Sequence, residues 1–223
     1  MSYDVRAQRT DTIVAQQANK VLRQTYTLLS MTLAFSAIMA GVAMAVNMPM
    51  INPIITLVGY FGLFFLTYAL RNSAAGLLAV FALTGFMGLT LGPIVNFYIG
   101  ALSNGSQIVA MALGGTAAIF LGLSGYALTT KRDFTGIGPF LFVGILVAFC
   151  AGLVAYFFSM PALSLAVSAM FMLLMGGLIL FQTQQIVRGG ETNYIMATVT
   201  LYVSIYNLFL SLLQLLGFGF GED

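Results

Sequence analysis

Histidine and tryptophan are absent from the 223 residues, and cysteine occurs once. Without His the chain lacks the usual general base, the commonest metal ligand and the side chain that changes charge near neutral pH. The lone Cys150 excludes an intramolecular disulfide and a thiolate cluster, and its apolar surroundings predict a small buried hydrophobe. Without Trp, any interfacial belt must rest on Tyr and Phe. Charge is scarcest of all: 6% of residues carry one, against about 25% in soluble domains. So few charges cannot clothe a water-soluble globule, and with 60% hydrophobic residues the chain reads as an all-α integral membrane protein. A net charge of +2 gives no footing for nucleic acid.

What charge there is divides the chain into blocks. Arg23 to Arg71 encloses 47 uncharged residues, Arg71 to Lys131 encloses 59, Asp133 to Arg188 encloses 54, and Glu191 to Glu222 encloses 30. A crossing takes about 20 apolar residues, so the first three blocks hold two crossings each and the last holds one. Asn47-Met48-Pro49, Asn52-Pro53, Asn96 to Gln107 and Ser159-Met160-Pro161 punctuate the blocks. The predicted helices lie near 25–46, 53–70, 74–95, 107–129, 137–158, 162–187 and 194–217. Seven crossings place all eight Lys and Arg residues on one side. The positive-inside rule then puts the N-terminus in and the C-terminus out. Residues 1–23 form a polar cytosolic arm, expected to have weak local order, and residues 24–223 form the seven-helix domain. The arm does not read as a cleavable signal: its polar stretch is long, and the apolar segment after it is long enough to span.

Helix four repeats a small residue every fourth position, Ala110, Gly114, Ala118 and Gly122, a spacing that lets another backbone approach closely. Helix three carries Gly85, Gly88 and Gly92, then Pro93, where a kink is expected. In helix seven, Thr200, Ser204, Asn207, Ser211 and Gln214 fall within an arc of about 80° at 100° per residue. Such a stripe avoids lipid, so helix seven is expected at the centre of the bundle. Its polar groups serve either interhelical hydrogen bonding or a polar cavity. Gln182, Gln185 and Arg188 share one face near the cytosolic end of helix six. At 1.5 Å per residue Gln182 stands about 9 Å above the loop, level with Thr200 and about one turn short of Ser204.

One enzymatic pattern occurs. Gly122-Leu123-Ser124-Gly125 has the G-x-S-G form of rhomboid-type intramembrane proteases, but the nucleophile needs a base within reach. The chain has no His, and Lys131 is a poor substitute. No phosphate loop, carboxylate pair or metal-ligand cluster appears, so neither an enzyme activity nor a cofactor is expected.

The segments GGETNYI (189–195), TLYVS (200–204), YNLF (206–209), LILFQTQQI (178–186) and LGPIVNFY (91–98) together resemble the Bax inhibitor-1 family, so that the chain is identified as a seven-transmembrane-helix bundle of Bax inhibitor-1 type with helix seven central. The family implies two activities. Its calcium-leak members use two aspartates as a proton-sensitive gate, which align with Gln182 and Ser204, beside an Arg that aligns with Arg71. Gln and Ser cannot titrate, so the resemblance implies a polar core of Arg71, Gln182, Gln185, Thr200, Ser204 and Asn207 with a degenerate gate, and makes a cation (calcium or proton) leak the alternative reading. The closer resemblance is to a bacterial branch that modulates the membrane AAA protease FtsH and associates with the HflK–HflC complex. It implies a bacterial inner-membrane protein in quality control, engaged through its arm at Ser2, Arg6, Arg9 and Asp11.

Overall fold

A computed structural model describes the backbone of residues 2–220 and the side chains of 16–219. Within them the chain forms α1 (Ser2–Ala45), α2 (Pro53–Leu70), α3 (Ala75–Ala101), α4 (Gly105–Thr129), α5 (Gly138–Phe157), α6 (Pro161–Val187) and α7 (Tyr194–Phe220), with a 3-10 turn at Thr135–Ile137. Among the described residues, all seven are long and apolar enough to cross a membrane. The family of spans predicted from the charge blocks is therefore present.

Two helices outrun their predicted ends by more than a turn. α1 reaches back to Ser2, although its apolar spanning part is Gln16–Ala45. Between Ser2 and Ala40 there is neither Gly nor Pro, so nothing in the polar arm interrupts the helix. The arm residues Ser2, Arg6, Arg9 and Asp11 have side chains outside the described residues. α3 continues through Pro93 to Ala101, and the break falls at 102–104, just before Gly105. Gly105 is required there, because a Cβ would collide with the Tyr98 carbonyl.

Two of the predicted turns share one design. Asn47 and Ser159 both take positive φ, 49° and 48°. The following Met amides close back onto the helix, Met48 to the Ala43 carbonyl and Met160 to the Ala155 carbonyl, each at 2.9 Å. Each turn then meets a proline that cannot continue the helix.

The contacts divide the chain into two compact units, Met1–Pro93 with Gln182–Tyr202, and Ile94–Phe181 with Val203–Asp223. In the first unit α1 and α3 meet along the glycine face of α3. A Cβ on Gly85 would stand 2.7 Å from Phe35, one on Gly88 would strike the Ser36 carbonyl, and one on Gly92 would stand 2.6 Å from the Ala43 methyl. Partner numbers rise together, so the two helices run parallel, as two odd-numbered crossings must. In the second unit α6 and α7 are joined by Gln214, which donates to Ser164 Oγ and accepts from Ser168 Oγ, both at 2.6 Å.

Burial adjusts two expectations. α7 is half buried, as its stripe implies, but α3 is buried more, at 61% against 50%. Small apolar residues, rather than polar ones, mark the more enclosed helix. Cys150 is exposed on α5 instead of buried; the span around it is only 17% buried, and its apolar neighbours suit lipid as well as a core.

Candidate functional site, a polar core and its cytosolic clasp

The helix ends on the basic side of the first unit are tied by one asparagine. Asn193 caps α7, its Oδ1 accepting from Met196 N at 3.0 Å, the ordinary N-cap bond to the third helical amide. Its Nδ2 donates to the Arg71 carbonyl at 3.1 Å and to Asn72 Oδ1 at 2.8 Å. Its own amide donates to Glu191 Oε1 at 2.8 Å. One side chain thus fixes the α2–α3 turn to the start of α7. α6 ends with Gly189 at φ 75°, Gly190 N donating to the Gln185 carbonyl at 2.9 Å and Gly189 N to the Ile186 carbonyl at 3.1 Å. That pairing satisfies carbonyls left open by the helix end and demands a residue tolerant of the left-handed region.

Above this clasp lies a buried polar core drawn from α1, α3, α6 and α7. Tyr26 Oη and Thr183 Oγ1 are 3.2 Å apart. Thr198 Oγ1 donates to its own helix at Tyr194 and approaches the Thr25 carbonyl at 3.3 Å. Tyr202, 1% exposed, donates to the Thr84 carbonyl at 3.3 Å and pairs with Ser36 Oγ at 2.6 Å. Two buried atoms in this unit, Thr25 Oγ1 and Gln182 Nε2, find no hydrogen-bond partner among the described residues. An unsatisfied buried donor costs about 1–3 kcal/mol.

The residues singled out from sequence fall as follows. Arg71 follows the last turn of α2, half-buried, its guanidinium 3.8 Å above the Tyr68 ring. Gln182 is buried, and Gln185 is half-buried at the close of α6. Thr200 is half-buried and Ser204 fully buried, each with a partner. Asn207 turns back on its own helix, Nδ2 donating to the Val203 carbonyl at 2.8 Å. Arg71, Gln182, Gln185 and Thr200 belong to the first unit, Ser204 and Asn207 to the second. Sequence reasoning passed over Asn193 and Tyr202. Asn193 had a signal, since it stands directly before the apolar run of α7, where a capping residue belongs. Tyr202 had none, because a tyrosine among apolar residues looks like packing.

Chemically this core offers hydroxyls and amides, with no carboxylate and no imidazole. It can form hydrogen bonds but cannot exchange protons near neutral pH. No group of three His, Cys, Asp or Glu side chains able to hold a metal ion occurs among the described residues. Ser124, the serine of the G-x-S-G pattern, is 4% exposed, and its Oγ has no hydrogen-bond partner among the described residues.

Comparison with known proteins adds to this geometry. The family profile described as "Inhibitor of apoptosis-promoting Bax1" matches residues 18–221. The chain is 52% identical over 200 residues to the Escherichia coli K12 protein named "Modulator of FtsH protease YccA", covering 90% of each chain. The same identity and coverage hold for a protein of Escherichia coli O6:H1 named "Inner membrane protein YccA". An uncharacterized protein of Pseudomonas aeruginosa is 51% identical over 208 residues, covering 93% of each chain.

Proposed function

Since the chain belongs to the Bax inhibitor-1 family and is a multi-pass inner-membrane protein, we propose that it binds and restrains the membrane AAA protease FtsH, together with the HflK–HflC complex, in membrane protein quality control. The observation that carries this reading is the similarity to the protein named as a modulator of that protease, which runs over nine-tenths of both chains. Restraint of a protease asks for a binding surface and no chemistry, in keeping with a core of uncharged hydrogen-bonding groups. The residues aligned with the acidic gate of leak members are Gln182 and Ser204, and neither side chain titrates in the physiological range. A proton-gated calcium leak therefore has no proton site at that pair.

The arm is the proposed point of engagement, through Ser2, Arg6, Arg9 and Asp11. It extends α1 beyond its apolar span, and its attachment to a membrane helix gives it a high effective concentration at the surface where a membrane-anchored protease works. The test is affinity purification of FtsH from native membranes, with full-length protein and with a variant lacking Ser2–Thr12. Full-length protein should co-purify with FtsH and HflK–HflC and slow degradation of other membrane substrates; the truncated form should lose most of that binding. Absence of both effects in the full-length protein would overturn the reading. Proteoliposomes of the same protein should show no pH-gated calcium flux, and such a flux would favour the leak instead.

A further inference from the structure

The second unit contains a cleft of about 400 Å³ at the ends of its helices opposite the loop that carries Lys131 and Arg132. It is framed by the last turns of α3 and α7 and the first turn of α6. Phe97, Leu102, Leu165 and Phe218 supply its apolar walls, while Tyr98, Ser164 and Gln214 supply its polar groups. We propose that this cleft holds the upper acyl chain and ester carbonyl of a glycerophospholipid from the leaflet opposite the basic loops.

The polar groups are mostly donors awaiting an acceptor. Gln214 is held by two serines one turn apart on α6, its Nε2 donating to Ser164 Oγ and its Oε1 accepting from Ser168. Because Ser164 is used as an acceptor, its own proton is left to donate, as is the second Nε2 proton of Gln214. The Tyr98 hydroxyl makes no hydrogen bond among the described residues, and its ring packs against Gly217, where a Cβ would collide with it. Three donors on an apolar wall suit a carbonyl oxygen attached to a hydrocarbon chain. Among the described residues no Lys or Arg lines the cleft, so an ionised carboxylate or free phosphate would enter without a counter-charge from them.

Depth and size agree. α3, α6 and α7 each have 27 residues, about 40 Å at 1.5 Å per residue, which exceeds the hydrocarbon core of about 30 Å. Their end turns therefore lie in the interfacial layer, where ester groups reside and where an amphipathic aromatic side chain such as Tyr98 is favoured. The volume is at the lower end of the range of about 300–1,000 Å³ for ligand pockets, enough for part of one chain and too little for a whole two-chain lipid.

The full-length protein in nanodiscs would be irradiated with a phosphatidylethanolamine carrying a diazirine beside one acyl ester. Labelling should concentrate on 97–102, 161–165 and 214–218. Ala101→Trp, which puts a large ring into the cleft, should abolish that labelling. Tyr98→Phe, a milder change, should lower retention of the lipid in native mass spectrometry about two- to tenfold, the value of one hydrogen bond. An ether-linked lipid with the same tails, lacking the carbonyl, should be retained less by a similar factor. Labelling spread evenly over exposed helices such as α5, or retention that is equal for ester and ether lipids, would overturn the proposal.

Discussion

Helices three and four carry small residues at helical spacing, yet the two sets meet different surroundings. On α3, Gly85, Gly88 and Gly92 are pressed against α1, so closely that a methyl group on any of them would overlap Phe35, the Ser36 carbonyl or Ala43. On α4, Ala110, Gly114, Ala118 and Gly122 are all exposed, and a Cβ added at Gly114, Gly122 or Gly125 would meet nothing within 4 Å. The buried side of α4 is elsewhere, at Ile108, Ala112 and Thr116. Ala112 lies two positions, or about 200°, round the helix from the small-residue stripe. Small-residue spacing states that a second backbone can come close. It does not state that one does.

The largest expected effect in breaking this contrast is Gly88→Ala. The new methyl would drive α1 away from α3 and with it Ser36 from Tyr202, so a seam contact and a buried hydrogen bond fail together. Overpacking of this kind costs about 1–3 kcal/mol, and loss of the buried bond adds about 1 kcal/mol. The variant should give little folded protein in detergent, or a large fall in thermal midpoint by fluorescence. Gly88→Ala melting with the parent would mean that α1 and α3 do not meet as described.

The seam and the open face also show what is readable in the sequence. The spans were readable, because charge, proline and the width of the hydrocarbon core act on short stretches of chain. The polar stripe of α7 was readable as polar, but the bonds it makes were not. Gln214 finds Ser164 and Ser168 on α6, whereas Asn207 bonds its own Val203 carbonyl, and periodicity is blind to that choice because both residues sit on the same stripe. The enclosure of α3 was not readable either. Glycine announces no partner, and the more regular small-residue pattern of α4 was the more conspicuous of the two.

A smaller effect should follow from Tyr202→Phe, which keeps the ring and removes the hydroxyl shared by Ser36 and the Thr84 carbonyl. Interhelical hydrogen bonds in membranes average about 0.6 kcal/mol and reach about 1.7. A Tyr bonded to two helices belongs in the upper part of that range, so a loss of about 1–1.5 kcal/mol is expected in unfolding by denaturing detergent. The double variant Tyr202→Phe with Ser36→Ala should cost little more than the sum's larger member, because both remove the same bond. Full additivity would show that the Ser36–Tyr202 pair contributes nothing to holding α1 against α7.

The smallest effect, and the one that tests the other half of the contrast, is Gly114→Ala combined with Gly122→Ala. Glycine in a helix interior is less favourable than alanine by about 0.5–1 kcal/mol, because its unfolded chain has more conformations to lose. That gain is realised only where the added methyl has room. At Gly114 and Gly122 there is open space, in the membrane occupied by mobile lipid tails that yield to one methyl group. The double variant should therefore be as stable as the parent or gain up to about 1–2 kcal/mol, if the two sites, eight residues and about 12 Å apart along the helix, act independently. The sign is the informative quantity. Alanine at Gly88 and alanine at Gly114 are the same chemical change in the same kind of helix, so opposite signs can come only from what faces each position. A destabilised Gly114→Ala, Gly122→Ala protein in purified, monomeric form would mean that this face of α4 is packed within the chain itself, and the distinction between a closed seam and an open stripe would fail.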